Sequence, residues 1–219
     1  MRIVASADLH GDYELYTWLT HRIGYIQPDL VILAGDLLGY HPGYPTVEAA
    51  QQADAQRICE LLAAVRVPIF YIMGNDDFIE LEPRQASWQS LHNRRVEWGG
   101  YTFVGYQYSL PFMGGIFEKP EDAIETDLQA LEAWVDAQTI LVTHTPAWGI
   151  LDVGVLDVSA GSRALQSLIQ QCRPLLHIHG HIHQHFGRVG NHFNVAAGGQ
   201  QRAMLIEVPS LRHEIVYDG

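Results

Sequence analysis

Apolar and polar positions alternate along the chain so as to predict short strands and helices in turn, each strand ending on a polar residue. Residues 3–7 form an apolar run that stops at Asp8-Leu9-His10-Gly11-Asp12, and Leu15, Trp18, Leu19 and Ile23 then recur at helical spacing. A second apolar run, residues 29–34, ends at Gly35-Asp36 and opens into a loop rich in Gly, Pro and Tyr over residues 38–45. Thr46 suits the start of an Ala- and Gln-rich helix over residues 47–65, because its hydroxyl can accept from N–H groups that the first helical turn leaves unpaired. Residues 67–73 read as a third strand, halted by Gly74-Asn75-Asp76-Asp77.

The middle of the chain is less regular. Residues 95–98 and 101–105, joined by Gly99-Gly100, predict a hairpin, and the aromatic, Gly-rich residues 106–115 predict a flap. Pro120 suits the first turn of an acidic helix running to about residue 135, with Glu121 and Asp122 near its positive end. Residues 139–144 form another buried strand with His144 at its end, and a loop carrying Asp152 and Asp157 leads to Ser162, the expected cap of a helix over residues 163–172. Pro174 separates that helix from Leu176-His177-Ile178-His179-Gly180-His181-Ile182-His183-Gln184-His185. The tail, residues 186–217, is expected to supply antiparallel strands that close a second sheet.

Buried strands alternating with helices imply a mixed or parallel sheet with helices on its faces, here as one domain over residues 1–219. In such sheets ligands bind beyond the carboxyl ends of the strands, where Asp8, His10, Asp36, Asn75 and His144 fall. The histidine run adds five of the chain's twelve histidines. Side chains two apart on an extended backbone point the same way, so His181 and His183 can reach one site from a single strand end.

A histidine-rich tract alone states only metal affinity. Each other polar strand end also has a structural use: Asp8 can cap a helix, Asp36 fix a turn, Asn75 adopt a left-handed conformation and His144 sit as a satisfied core histidine. Their combination is two carboxylates, an amide oxygen and four imidazoles, a mixed donor set suited to Mn, Fe, Zn or Ni rather than Mg or Ca.

Composition narrows the classes. With 219 residues, 47% of them hydrophobic and 17% charged, the chain can bury a large core without a partner. Cys59 and Cys172 lack metal-type or redox-type spacing, no apolar run reaches the ~18 residues of a membrane span, and the first residues read directly into a strand. The expectation is a cytoplasmic protein with no membrane association. A net charge of −12, without clustered Lys and Arg, argues against a surface that tracks nucleic-acid phosphates, and an anionic substrate would need local positive charge from bound metal.

The order Asp8-x-His10, Gly35-Asp36, Gly74-Asn75, His144 and Gly180-His181-x-His183 resembles the calcineurin-like metallophosphoesterase superfamily. His144-Thr145-Pro146, Gly161-Ser162-Arg163-Ala164-Leu165 and residues 174–183 look most like its Icc-related and metallophosphoesterase-domain (MPPED-like) members. The resemblance implies a four-layer α/β/β/α sandwich of two mixed sheets with a two-metal site at the strand ends. One metal would be held by Asp8, His10, Asp36 and His183, the other by Asp36, Asn75, His144 and His181, with Asp36 bridging. The ions would be divalent or mixed-valence, manganese first, with iron, zinc or nickel as other fits. The implied activity is hydrolysis of a small phosphoester, a phosphodiester before a monoester, by a hydroxide bridging the metals. The alternatives are a phosphomonoesterase or nucleotidase, and a metal-bound interaction scaffold without turnover.

One position departs from the family pattern. Active members have Gly-Asn-His where this chain has Gly74-Asn75-Asp76, so the expectation is retained hydrolysis, slow for poor leaving groups if the general acid is missing and not so if a protonated Asp76 replaces it. His41, in the loop after Asp36, is expected to touch substrate or leaving group. His177 and His179 are expected to face the sheet packing or to stand behind a ligand, and His185 and His192 to be ordinary strand residues. Nothing in the sequence indicates an oligomeric state.

Overall fold

The computed structural model describes residues 1–83, 85–154 and 157–217. In chain order the strands are β1 (Arg2–Ser6), β2 (Leu30–Ala34), β3 (Ile69–Ile72), β4 (Trp88–Ser90), β5 (Arg95–Trp98) and β6 (Tyr101–Tyr106). They are followed by β7 (Thr139–Thr143), β8 (Leu176–His179), β9 (Gly187–Val189), β10 (His192–Asn194), β11 (Arg202–Glu207) and β12 (Arg212–Tyr217). The α-helices are α1 (Tyr13–Ile26), α2 (Val47–Leu61), α3 (Glu121–Leu131) and α4 (Arg163–Cys172). One six-stranded sheet runs β12-β11-β1-β2-β3-β4 and the other β5-β6-β7-β8-β10-β9.

Both sheets are covered on both faces, which is why their central strands read as unbroken apolar runs. Val4, Val31 and Leu33 face outward into a core shared with Leu15 and Leu19 of α1 and Ile58 of α2. Their neighbours Ile3, Ala5, Ile32 and Ala34 face inward against Phe103, Ile140, Val142, Ile178 and Phe193 of the second sheet. On its far side, Val104 and Leu141 meet Ile124 and Leu128 of α3 and Leu165 and Leu168 of α4. The layers are therefore helices, sheet, sheet, helices, the α/β/β/α sandwich of two mixed sheets.

Helix boundaries follow their caps. The Asp12 carboxylate accepts from the N–H groups of Glu14 and Leu15, Thr46 Oγ1 from that of Ala49, and Ser162 Oγ from that of Leu165. Pro120 stands at the N-cap of α3, one place before the first helical residue. Among the described residues no helix is long and apolar enough to cross a membrane.

Three expectations change. The tail divides between the sheets: β9 and β10 extend the second, with β10 parallel to β8, whereas β11 pairs antiparallel with β1 and carries β12 to the edge of the first. The strand β4, parallel to β3, has too short a run to show in the apolar pattern. The histidine run is a strand only to His179; His183 and His185 belong to a 3-10 turn, so His181 and His183 do not project from one extended segment, and His185 is not a strand residue.

Candidate metal centre

Because β1, β2 and β3 run parallel, and β7 and β8 likewise, their carboxyl ends gather at one end of the sandwich. Asp8 and His10 follow β1, Asp36 follows β2, Asn75 follows β3, His144 follows β7, and His181 and His183 follow β8. Asp8, His10, Asp36 and His181 have left-handed backbones, with φ of 55°, 45°, 50° and 70°. That conformation is uncommon outside glycine, costs conformational energy, and here turns each chain sharply so that its side chain points back over the strand ends. Two glycines permit the resulting closeness: a Cβ on Gly180 would lie 2.4 Å from Asp8 Oδ2, and one on Gly74 would lie 2.2 Å from Asp36 Oδ1.

The seven side chains converge. His183 Nε2 is 3.1 Å from Asp8 Oδ1 and 3.3 Å from His10 Nε2. His144 Nε2 is 3.0 Å from Asn75 Oδ1 and 3.3 Å from Asp36 Oδ2, and the same Asp36 oxygen lies 4.0 Å from His10 Nε2. Asp8, His10 and His183 offer donors within 4.8 Å of one another, as do Asp36, His144 and His181. Donors about 2.0–2.2 Å from a shared cation stand about 3.0–3.6 Å apart, a range that holds all of these separations except the 4.0 Å between His10 and Asp36. A hydrogen-bond account fails at His183, whose Nε2 cannot both donate to Asp8 and accept from His10. The donor set fits divalent ions.

Surrounding groups fix the ring and carboxylate orientations. His144 Nδ1 donates to the Ala34 carbonyl at 3.0 Å, which turns Nε2 toward Asp36 and Asn75. Both Asp8 oxygens accept from the His181 N–H, at 3.1 and 2.9 Å, and Asp36 Oδ1 accepts from the Asp76 N–H at 2.8 Å. The electrostatics have the sign a cation site requires. Burial pulls the His10 pKa down, but the Asp76 hydrogen bond and the Asp36 and Asp8 charges outweigh it and carry it up to about 9. Burial likewise opposes a charged His144, yet the buried Asp36 carboxylate raises its pKa. Burial penalises the Asp36 anion, and the His144 and His10 rings overcome that and hold its pKa well below the usual carboxylate range. The carboxylates recruit protons where metal charge would otherwise sit.

Asp76 lines the same cleft, with Oδ2 3.3 Å from His10 Nδ1. His41 is elsewhere: its Nε2 pairs with the buried Asp54 Oδ1 at 3.1 Å, its ring stacks on Tyr13 at 5.2 Å, and it does not line the cleft. His177 and His179 are fully buried along β8, and His192 lies in β10. Three supporting residues carried no notice in the sequence. Asp77 accepts from the N–H groups of Leu37, Leu38 and Gly74 at 2.8–3.2 Å and so ties the β2 loop to the β3 loop. Gln51 of α2 donates to the Asp76 carbonyl at 2.7 Å, and Arg202 of β11 donates to the His183 carbonyl at 2.8 Å. The second acid of Gly74-Asn75-Asp76-Asp77 was a usable signal for Asp77; a helical Gln and a strand Arg offer none.

The cleft above these residues encloses about 390 Å³, with His10, Asp36, Asn75, His181 and His183 on its floor. Over 101 residues, 46% of its length, the chain is 32% identical to a UPF0046 protein of Caenorhabditis elegans, and the match spans 33% of that protein. Its fold is similar to that of TT1561 of Thermus thermophilus, with a TM-score of 0.73 and 19% identity over 99% of this chain and 98% of that one. It is also similar to a dimetal phosphatase from Danio rerio, with a TM-score of 0.62 and 11% identity over 100% and 99% of the two chains. Residues 1–185, which carry all seven converging side chains, match the family model for calcineurin-like phosphoesterases, and the chain belongs to that family.

Proposed function

We propose that this protein is a two-metal phosphoesterase that hydrolyses a small phosphodiester. The observation that carries the reading is the position of Asp36 Oδ2, 3.3 Å from His144 Nε2 and 4.0 Å from His10 Nε2, between the two groups of donors. In this reading Asp8, His10, Asp36 and His183 hold one ion; Asp36, Asn75, His144 and His181 hold the other; and Asp36 serves both. The mixed nitrogen and oxygen donors suit manganese first, then iron, zinc or nickel. Two divalent ions held by these residues would supply Lewis-acid polarisation of a phosphoryl group and an activated water. Two such ions against the Asp8 and Asp36 carboxylates also leave a locally positive floor in a chain of net charge −12.

The protein's own groups then have separable tasks. Asp8 and Asp36 are held rigid by the His181 and Asp76 N–H groups, so the charge that gathers the ions is already in place before they bind. Asp76 orients His10 through Nδ1. His41 takes no part in this assignment, since its ring nitrogen holds Asp54, whose other oxygen accepts from the Gly39 N–H at 2.7 Å and fixes the loop after Asp36. No Lys or Arg among the described residues lines the cleft, which favours a diester with one negative charge over a monoester with two. The dimetal phosphatase among the structural relatives supports two ions in this fold.

The experiment is a comparison of bis(p-nitrophenyl) phosphate with p-nitrophenyl phosphate on manganese-loaded protein. A higher kcat/KM on the diester is expected. A preference for the monoester would replace the diester assignment, and no turnover of either by fully loaded protein would make the fold a metal-bound scaffold.

A further inference from the structure

We propose that the cleft selects a phosphodiester carrying an apolar alkyl or aryl group, which binds between Phe112 and Met113 on one side and Val158 and Ile182 on the other. This rests on the phosphodiesterase reading above and adds the substrate class. Leu110, Pro111, Phe112 and Met113 form one wall of the cleft; Val158, Ala160 and Ile182 contribute to the other. Phe112, Met113 and Val158 are 74%, 68% and 62% exposed, although apolar side chains of this size are ordinarily buried. The Phe112 ring stands edge-on to His181 with centroids 6.4 Å apart, so the apolar wall begins where the donor cluster ends.

Hydrogen bonds hold the described residues that flank these side chains. The Glu118 carboxylate accepts from three successive N–H groups, those of Phe112, Met113 and Gly114, at 2.9, 2.8 and 2.9 Å. Ser109 N–H donates to the Phe117 carbonyl at 3.0 Å and Lys119 N–H to the Ser109 carbonyl at 2.9 Å, closing the base of the loop. Opposite, the buried Asp152 accepts from the Gly149 N–H at 2.8 Å and from the Ser159 hydroxyl, and Gly154 N–H donates to the Val158 carbonyl at 2.9 Å. Each wall thus uses a carboxylate of its own to hold apolar side chains in the open beside the strand ends. Apolar surface fixed at the mouth of a cleft is the mark of a ligand-binding site.

Charge excludes the other substrate type the cleft could take. A phosphoanhydride or polyphosphate brings further negative charges, and among the described residues no Lys or Arg lines the walls to receive them. The Ser159 hydroxyl donates its proton to Asp152, and beyond the donor cluster and Asp76 only Gln184 adds a further polar side chain to the lining among the described residues.

A series of methyl, butyl and octyl p-nitrophenyl phosphodiesters, each below its aggregation concentration, tests the proposal on the metal-loaded protein. We expect kcat/KM to rise at least about tenfold from methyl to octyl, chiefly through KM, since each buried methylene is worth roughly fourfold. In the double variant Phe112→Ser, Val158→Ser that ratio falls toward one, with circular dichroism and metal content confirming a folded, loaded protein. Wild-type protein that turns over all three esters with equal kcat/KM overturns the apolar subsite and leaves the phosphodiesterase reading standing. Hydrolysis of none of them overturns both.

Discussion

Asp76 Oδ2 lies 3.3 Å from His10 Nδ1, on the opposite edge of the ring from the Nε2 that faces His183 at 3.3 Å. A carboxylate in that place fixes a proton on Nδ1, makes Nε2 the nitrogen that gives up its proton to a metal, and holds the ring plane toward the site. Asp76→Ala should therefore weaken one of the two metal-binding steps about 10–100-fold. Asp76→Asn, whose amide oxygen can still accept from Nδ1, should lose less. Calorimetric metal titration or competition with a chelator measures both. Metal affinity unchanged in Asp76→Ala, together with slow turnover of alkyl but not activated aryl esters, would instead assign Asp76 to proton donation at the leaving group.

Asp36 is assigned to both ions, so Asp36→Asn should remove more than one ligand's share. The expected outcome is a stoichiometry of at most one tightly held ion per chain, with kcat/KM on bis(p-nitrophenyl) phosphate lower by about 10²-fold or more. Metal analysis and kinetics on one preparation check this. Two ions retained with full occupancy would remove Asp36 from its bridging place.

The two close glycines give a steric prediction. A Cβ at Gly180 or Gly74 would sit 2.4 Å from Asp8 Oδ2 or 2.2 Å from Asp36 Oδ1, and each of those carboxylates is anchored by backbone N–H groups. Gly180→Ala and Gly74→Ala should each cost about 1–3 kcal/mol of stability through overpacking and lower metal affinity in step. Chemical unfolding and metal titration report the two effects separately.

Histidines with opposite shifts predict a stability maximum for the metal-free protein. Burial first, then Lys119, pulls the His92 pKa down to about 4, and its Nδ1 accepts from the Gln107 N–H at 3.3 Å. Unfolded histidine titrates near 6.5, so between about 4 and 6.5 the unfolded chain binds more protons and stability falls as pH falls. His177, lowered by burial and by His179 and His192, acts in the same direction. His10, raised to about 9, has the reverse sign: its contribution is present below 6.5 and is lost as pH climbs through 9. Denaturant midpoints should peak near pH 6.5. Metal loading should abolish the alkaline limb, because the ion replaces the proton on His10, and His92→Gln should make the acid limb shallower.

The β8 histidines also carry a definite tautomer prediction. Thr143 Oγ1 donates its one proton to the Thr145 carbonyl at 2.6 Å, so it must accept from His177 Nε2 at 2.8 Å. His177 Nδ1 is then bare and accepts from His192 Nδ1–H at 3.0 Å. Nitrogen chemical shifts should show His177 as the Nε2–H form and His192 as the Nδ1–H form; the reverse assignment would contradict the network.

Much of this fold was legible because its central strands are covered on both faces and its helices carry polar caps: Ile3 to Ala7, Thr46 and Ser162 announce themselves. The converging residues were legible because strand ends in a parallel sheet share one edge, so Asp8, Asp36 and Asn75 need no long-range information to be grouped. What the sequence hid depends on tertiary pairing. β11 joins β1 across nearly the whole chain, and β4 is three residues long. The alternation of the histidine run suggested one strand, yet the left-handed turn at His181 breaks it and aims His181 and His183 separately. His41 looked placed for substrate by its nearness to Asp36 in sequence, and only the buried Asp54 of α2 shows why its ring turns away.

The most direct test is metal content and phosphodiester hydrolysis measured on the same preparation, stripped with chelator and then titrated with manganese. Activity on bis(p-nitrophenyl) phosphate should be absent in the stripped protein and rise with occupancy to a plateau at two ions per chain. A plateau at one ion, hydrolysis that survives stripping, or two bound ions with no hydrolysis would contradict the account.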